Sequence, residues 1–129
     1  MSTAEGNIRA KQNGIEMENW VKAIYPNAVF DYKGAIDCTI EGIKAEVKSC
    51  QDLVTDKKYK HGLRTGRFCF NSYQHEILLQ EGGDYIVLVQ KEGVPVLFYR
   101  FPAHILNMGT WEGNKCISWK ELLFGGYLL

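Results

Sequence analysis

The chain has no apolar run near the roughly 18–20 residues that span a bilayer. Its first residues are polar and lack the apolar stretch of a secretory signal. No membrane association is therefore expected, and a cytoplasmic location is. Neither charge sign is in excess, since 15 Lys and Arg balance 15 Asp and Glu. No global basic field exists to draw in nucleic acid, so any such binding must come from a local patch and a metal ion. The four cysteines, Cys38, Cys50, Cys69 and Cys116, form no CxxC pair, and reduced thiols are the expectation. A zinc site drawn from Cys50, Cys116, His61, His75 or His104 would need widely scattered ligands. Internal repeats and low-complexity segments are absent too. What remains is a chain of 129 residues, 46% hydrophobic, enough for the core of a single domain over 1–129.

Residues 1–7 read as a loose start, followed by a helix that Pro26 stops. Its apolar stripe is Met17, Trp20, Val21 and Ile24, with Gly14 interrupting the helix or marking its start. Ala28 to Tyr32 reads as a short strand, and Lys33-Gly34 turns into the stretch Ala35–Lys48, AIDCTIEGIKAEVK. Here Glu41-Gly42 separates two alternating runs, the signal of a tight hairpin. That register sets Ile40 against Ile43, Cys38 against Ala45 and Asp37 against Glu46. One face then reads Ile36, Cys38, Ile40, Ile43, Ala45, Val47. The other reads Asp37, Thr39, Lys44, Glu46, Lys48.

Two carboxylates placed directly opposite each other repel. A Mg²⁺ would offset that repulsion, since it is held by one or two carboxylates together with phosphate oxygens and water. Lys48, two residues from Glu46 on the same face, could then steady an attacking water or developing phosphorane charge. The plain alternative is an amphipathic hairpin with a wet polar face.

Residues 51–67 read as an exposed connection carrying Lys57, Lys58, Lys60, Arg64 and Arg67 against two aspartates. Those five cations are the candidate phosphate-backbone contacts, with Arg67 the best single one. A second helix starts near Asn71 or Ser72, buries Tyr73, Ile77 and Leu78, and ends at Gly82-Gly83. Strands Tyr85–Gln90 and Pro95–Phe101 follow, joined by Lys91-Glu92-Gly93. The unbroken apolar run Ile86–Val89 marks a central strand. Pro102 opens a short turn or helix through Leu106. Ser118-Trp119-Lys120-Glu121 fits a capping box for a last short helix, and the apolar tail Leu122–Leu129 needs either this core or a second subunit. The fold class is α/β, a mixed sheet flanked by helices.

With that order and the Asp37…Glu46-Val47-Lys48 hairpin in view, the chain resembles the PD-(D/E)XK nuclease superfamily, in particular its archaeal Holliday-junction resolvase-type members. The resemblance implies an αβββαβ restriction-endonuclease-like core with a C-terminal extension. Ile36 stands where the family's leading Pro would be. Glu18, at the GxxxE spacing from Gly14, is preferred over Glu16 as the helix-borne acid, and Gln74 stands where the following helix brings a polar side chain to the metal. A role for Gln74 in closing the helix cap is compatible with that. The resemblance implies a Mg²⁺-dependent (or Mn²⁺-dependent) endonuclease acting on DNA. Asp37, Glu46, the Val47 carbonyl and Glu18 would serve the metal, Lys48 would activate water, and Gln74 and Arg67 would orient the lysine or the phosphate. A homodimer is expected, because so small a domain covers little DNA. The alternatives are a non-catalytic nucleic-acid-binding or assembly module, or a nuclease acting on RNA. His61 and His75 are candidate proton carriers or DNA contacts, and Tyr59 and Tyr73 either stack or pack.

Overall fold

The computed structural model describes residues 16–58 and 62–129. A helix (α1) runs through residues 16–24 and closes with the Tyr25 N–H donating to the Val21 carbonyl at 2.7 Å, just before Pro26. Strands β1 (Val29–Phe30), β2 (Cys38–Ile40) and β3 (Ile43–Gln51) form an antiparallel meander. The β2–β3 turn has positive φ at both Glu41 (50°) and Gly42 (81°), the backbone of a primed two-residue hairpin. It sets Cys38 against Ala45 and Ile40 against Ile43, as the alternation predicts.

β3 leads through β4 (Leu53–Thr55), β5 (Leu63–Thr65), β6 (Arg67–Asn71) and helix α2 (Ser72–Glu81) to β7 (Asp84–Lys91), which lies parallel to β3. β8 (Val94–Pro102) returns antiparallel, giving a five-stranded mixed sheet of order β1-β2-β3-β7-β8. A 3₁₀ turn (Ala103–Ile105), β9 (Asn114–Ser118) and α3 (Trp119–Phe124) complete the chain. β7 lies inside the sheet between β3 and β8, and its Tyr85–Val89 segment is buried, which accounts for its continuous apolar run. Among the described residues no helix is long and apolar enough to cross a membrane.

Two cores flank the sheet. On one face Val21 of α1 packs with Cys38, Ile40, Ala45, Val47 and Ile86. On the other, Leu78 of α2, Phe68 and Phe70 of β6, Ile117 of β9 and Leu122 of α3 pack on Tyr85, Val87 and Val89. Alternation along β3 therefore turns Glu46 and Lys48 towards the α2 side. On the polar face of the hairpin Glu46 is covered, only 3% exposed, while the Lys44 side chain stays open at 44%.

Several expectations need correcting. Residues 51–67 are not an open connection, because Val54 pairs with Arg64 in a β4–β5 hairpin, and β6 pairs with β9 in a second small sheet. Ile36 does not share a face with Cys38. It packs in the α2-side core, because residues 31–37 bend and regular alternation begins only at Cys38. Ile43, at the turn, is 40% exposed. In α1, Trp20 and Ile24 are exposed while Val21 is buried. In α2, Tyr73 is exposed while Leu78 is buried. The thiols are not all reduced: Cys69 and Cys116 face each other across β6–β9, with Cα atoms 4.0 Å apart, and form a disulfide. The apolar tail is shared between core and surface, with Leu122 buried and Leu128 bridging to Leu106, but Phe124 exposed. The loose start expected for residues 1–7, and Gly14, lie outside the described residues.

Candidate active site

Three elements converge on one corner of the sheet. Asp37 ends the bend before β2, Glu46 and Lys48 lie on β3, and Gln74 lies in the first turn of α2. Asp37 and Glu46 interlock through the backbone. The Asp37 N–H donates to Glu46 Oε1 at 2.9 Å, and Asp37 Oδ2 accepts the Val47 N–H at 2.9 Å. Each bond fixes one carboxylate on a neighbouring amide, so the facing positions read from the alternation bring the two acids together.

Lys48 Nζ lies 3.2 Å from Glu46 Oε2 and donates to Gln74 Oε1 at 3.1 Å. Gln74 in turn donates from Nε2 to the Ala35 carbonyl at 2.9 Å. Its position is set by the helix cap, where Asn71 Oδ1 accepts the N–H groups of Tyr73 and Gln74 at 2.9 and 3.1 Å. Gln74 is thus capped through its main chain by Asn71, while its own side chain turns to Lys48 and Ala35 and does not close a capping box on the Asn71 N–H.

The electrostatics follow from burial. Desolvation, reinforced by the nearby Asp37 charge, pushes the Glu46 carboxyl up to about 7, against the opposing pull of Lys48 and the Asp37 N–H. Two neighbouring acids with a single lysine, paired to Glu46, form a site with unmet demand for positive charge. Among the described residues no cluster of three or more His, Cys, Asp or Glu side chains is arranged to hold a metal. The donor set is a carboxylate pair, which suits Mg²⁺ completed by water and phosphate oxygens. Among the described residues the scattered zinc alternative is not assembled: Cys116 is in the disulfide, and His75 stacks on Tyr85 with its Nδ1 2.9 Å from the tyrosine hydroxyl. Burial lowers the His75 pKa, as suits a neutral packed ring.

Glu18 stands apart from this group. Its Oε1 accepts from the Tyr32 hydroxyl and pairs with Lys22 Nζ at 2.9 Å, and these two contacts hold its carboxyl below the ordinary range. It shares a cavity of about 280 Å³ with Asp37 and Tyr32. The Lys22 partner was readable from the i,i+4 spacing, whereas Tyr32 and the Ala35 carbonyl had no local signal.

The basic residues spread out. Arg64 Nε pairs with Asp56 Oδ2 at 3.1 Å and its Nη1 donates to the Thr65 carbonyl at 3.1 Å, so it is committed within its own hairpin. Arg67 lies on β6 beside a cavity of about 310 Å³ shared with Arg64, Ser118 and Glu121. Lys57 and Lys58 are exposed in the turn after β4. Tyr59, Lys60 and His61 lie outside the described residues.

The sequence model of a PD-(D/E)XK nuclease superfamily domain matches residues 4–115. The chain belongs to the PD-(D/E)XK nuclease superfamily. The match spans Asp37, Glu46, Lys48 and Gln74 and stops just before Cys116, so α3 and the tail lie beyond it. No curated protein matches the chain. The five-stranded mixed sheet with α1 and α2 on opposite faces agrees with a restriction-endonuclease-like fold.

Proposed function

We propose that this PD-(D/E)XK protein is a metal-dependent endonuclease that hydrolyses phosphodiester bonds in DNA. The observation that carries the reading is Lys48, held between Glu46 and Gln74 beside the Asp37–Glu46 pair. A lysine ammonium held by two acceptors next to paired acids, one of them buried, is a preorganised charge array, not a solvated hairpin face.

Asp37 and Glu46 would hold Mg²⁺ or Mn²⁺, with the Val47 carbonyl and Glu18 as further ligands, direct or through water. When bound, such an ion supplies Lewis-acid polarisation of the phosphate and lowers the pKa of coordinated water. Lys48 orients the attacking water and offsets charge growing on the phosphate. Gln74 fixes the lysine, so that little reorganisation is needed during reaction. Arg67, with Arg64, Lys57, Lys58 and Lys60, would contact the strand away from the scissile bond, and a homodimer would extend that footprint.

Nicking of a supercoiled plasmid tests the reading. Wild type should nick it with Mg²⁺ or Mn²⁺ and stop when EDTA is added, and folded Asp37→Ala should be inactive. Equal nicking by wild type and Asp37→Ala would refute the assignment. Metal-independent DNA binding without cleavage would point to a binding module instead.

A further inference from the structure

Tyr32 is 77% exposed, yet its ring is not free to wander. Its hydroxyl donates to Glu18, which is held in turn by Lys22. The segment carrying it is pinned at several points. Asp31 Oδ1 accepts the N–H groups of Lys33 and Gly34, each at 3.1 Å, and the Asp31 N–H donates to the carbonyl of Asp37 at 2.9 Å. A Cβ at Gly34 would stand 2.2 Å from Asp31 Oδ2, so a side chain there would have to displace the Asp31 carboxylate. The ring is therefore an exposed aromatic surface of fixed orientation, tied through one backbone hydrogen bond to the residue that opens the candidate active site. Tyr32 and Asp37 line the same cavity of about 280 Å³.

We infer that Tyr32 is a substrate-positioning residue whose ring stacks on a nucleobase beside the scissile phosphate, which makes DNA with unpaired bases at that point the favoured substrate class. This rests on the nuclease reading above and refines its substrate. Charge sets which part of a nucleotide lies here. The scissile phosphate belongs to the metal at Asp37, and beside it the neutral Tyr32 ring, next to Asp31, suits a base better than a second phosphate. In intact duplex each base face is covered by its neighbours, so a ring on the rim finds a partner only in single strands, flaps or splayed ends. Because the hydroxyl tether already orders the ring, less conformational entropy is lost on stacking.

The test uses the full chain carrying Lys48→Ala, so that binding is read without cleavage. Short single-stranded DNA is labelled with 2-aminopurine at successive positions. The parent should quench the probe at one or two adjacent positions. Adding Tyr32→Ala should abolish that quench and weaken single-strand binding by roughly 10- to 100-fold, the worth of one base stack. Tyr32→Trp should restore both. In the active enzyme Tyr32→Ala should raise KM for single-stranded or flapped DNA by a larger factor than KM for closed duplex plasmid, with Tyr32→Trp restoring the ratio, a split that a purely structural tyrosine would not produce. Single-strand binding and quenching that survive Tyr32→Ala, in a protein that binds and cleaves DNA, would overturn this inference alone. A wild type that binds neither single strands nor duplex would overturn the nuclease reading and this inference with it.

Discussion

Lys48 Nζ sits between Glu46 Oε2, at 3.2 Å, and Gln74 Oε1, at 3.1 Å, and so joins β3 to the first turn of α2. The lysine is 16% exposed and its carboxylate partner 4% at the side chain. An ammonium so enclosed is held in one place by two acceptors of different kinds. Glu46 supplies charge and Gln74 supplies direction, because the Ala35 carbonyl anchors the Gln74 amide from behind.

Gln74→Ala should therefore slow cleavage without abolishing it. Loss of one hydrogen bond to a charged group corresponds to about 1.5–3 kcal/mol, or roughly a 10- to 150-fold fall in single-turnover rate. DNA affinity should stay within about threefold of wild type. Rapid-quench kinetics beside equilibrium binding separate the two. A fall in affinity at unchanged rate would place Gln74 in binding instead.

Glu46 makes stability depend on pH with an unusual sign for a carboxylate. Burial, then Asp37, raises its folded pKa to about 7 from an ordinary 4.5. Its contribution is complete below the unfolded pKa and is lost as pH rises through 7, at a cost of about 3 kcal/mol. Glu46→Gln should thus unfold at higher urea than wild type at pH 8, with the gap closing towards pH 4.5. No gap at pH 8 would mean that the carboxyl ionises at its ordinary pKa.

Mg²⁺ should act in the opposite direction, because it needs the carboxylate form. Its affinity should rise between pH 6 and pH 8, with proton release on binding. The metal should raise the melting temperature of wild type at pH 8 and leave Asp37→Asn unmoved. Calorimetry in two buffers of different ionisation enthalpy reads the released proton directly.

Gly66→Ala should be among the most damaging small substitutions. A Cβ there would lie 1.7 Å from the Gln51 carbonyl oxygen, so the β3 and β6 backbones must separate. A loss above about 3 kcal/mol is expected in chemical denaturation. By contrast Asn71→Ala, which removes the α2 cap, should cost about 1 kcal/mol and slow cleavage modestly through Gln74.

The hairpin was the most legible part of the chain, because three local signals agree there: alternation, the Glu41-Gly42 turn and a facing pair of acids. The same holds for α2, whose Asn71 and Gly82 caps are local, and for β7, whose apolar run announces burial on both faces. The β4–β5 hairpin was not legible, since its strands are only three residues long, partly exposed, and joined by a charged connection that masks the pairing. Pairing of β6 with β9, and with it the Cys69–Cys116 bond across 47 residues, is a long-range contact that no local pattern encodes. The convergence of Asp37, Glu46 and Lys48 could be anticipated from register, and that of Gln74 only from the family resemblance. That Glu18 is tethered by Tyr32 could not, because Tyr32 lies in an irregular bend where neither period applies.

The most direct test of the account is single-turnover cleavage of DNA in Mg²⁺ by wild type and Lys48→Ala, with DNA binding measured on the same samples. Wild type should cleave. Lys48→Ala should fold, bind within about threefold of wild type and cleave at least about 100-fold more slowly. Cleavage by folded Lys48→Ala at the wild-type rate would contradict the role given to this lysine, and so the site built around it.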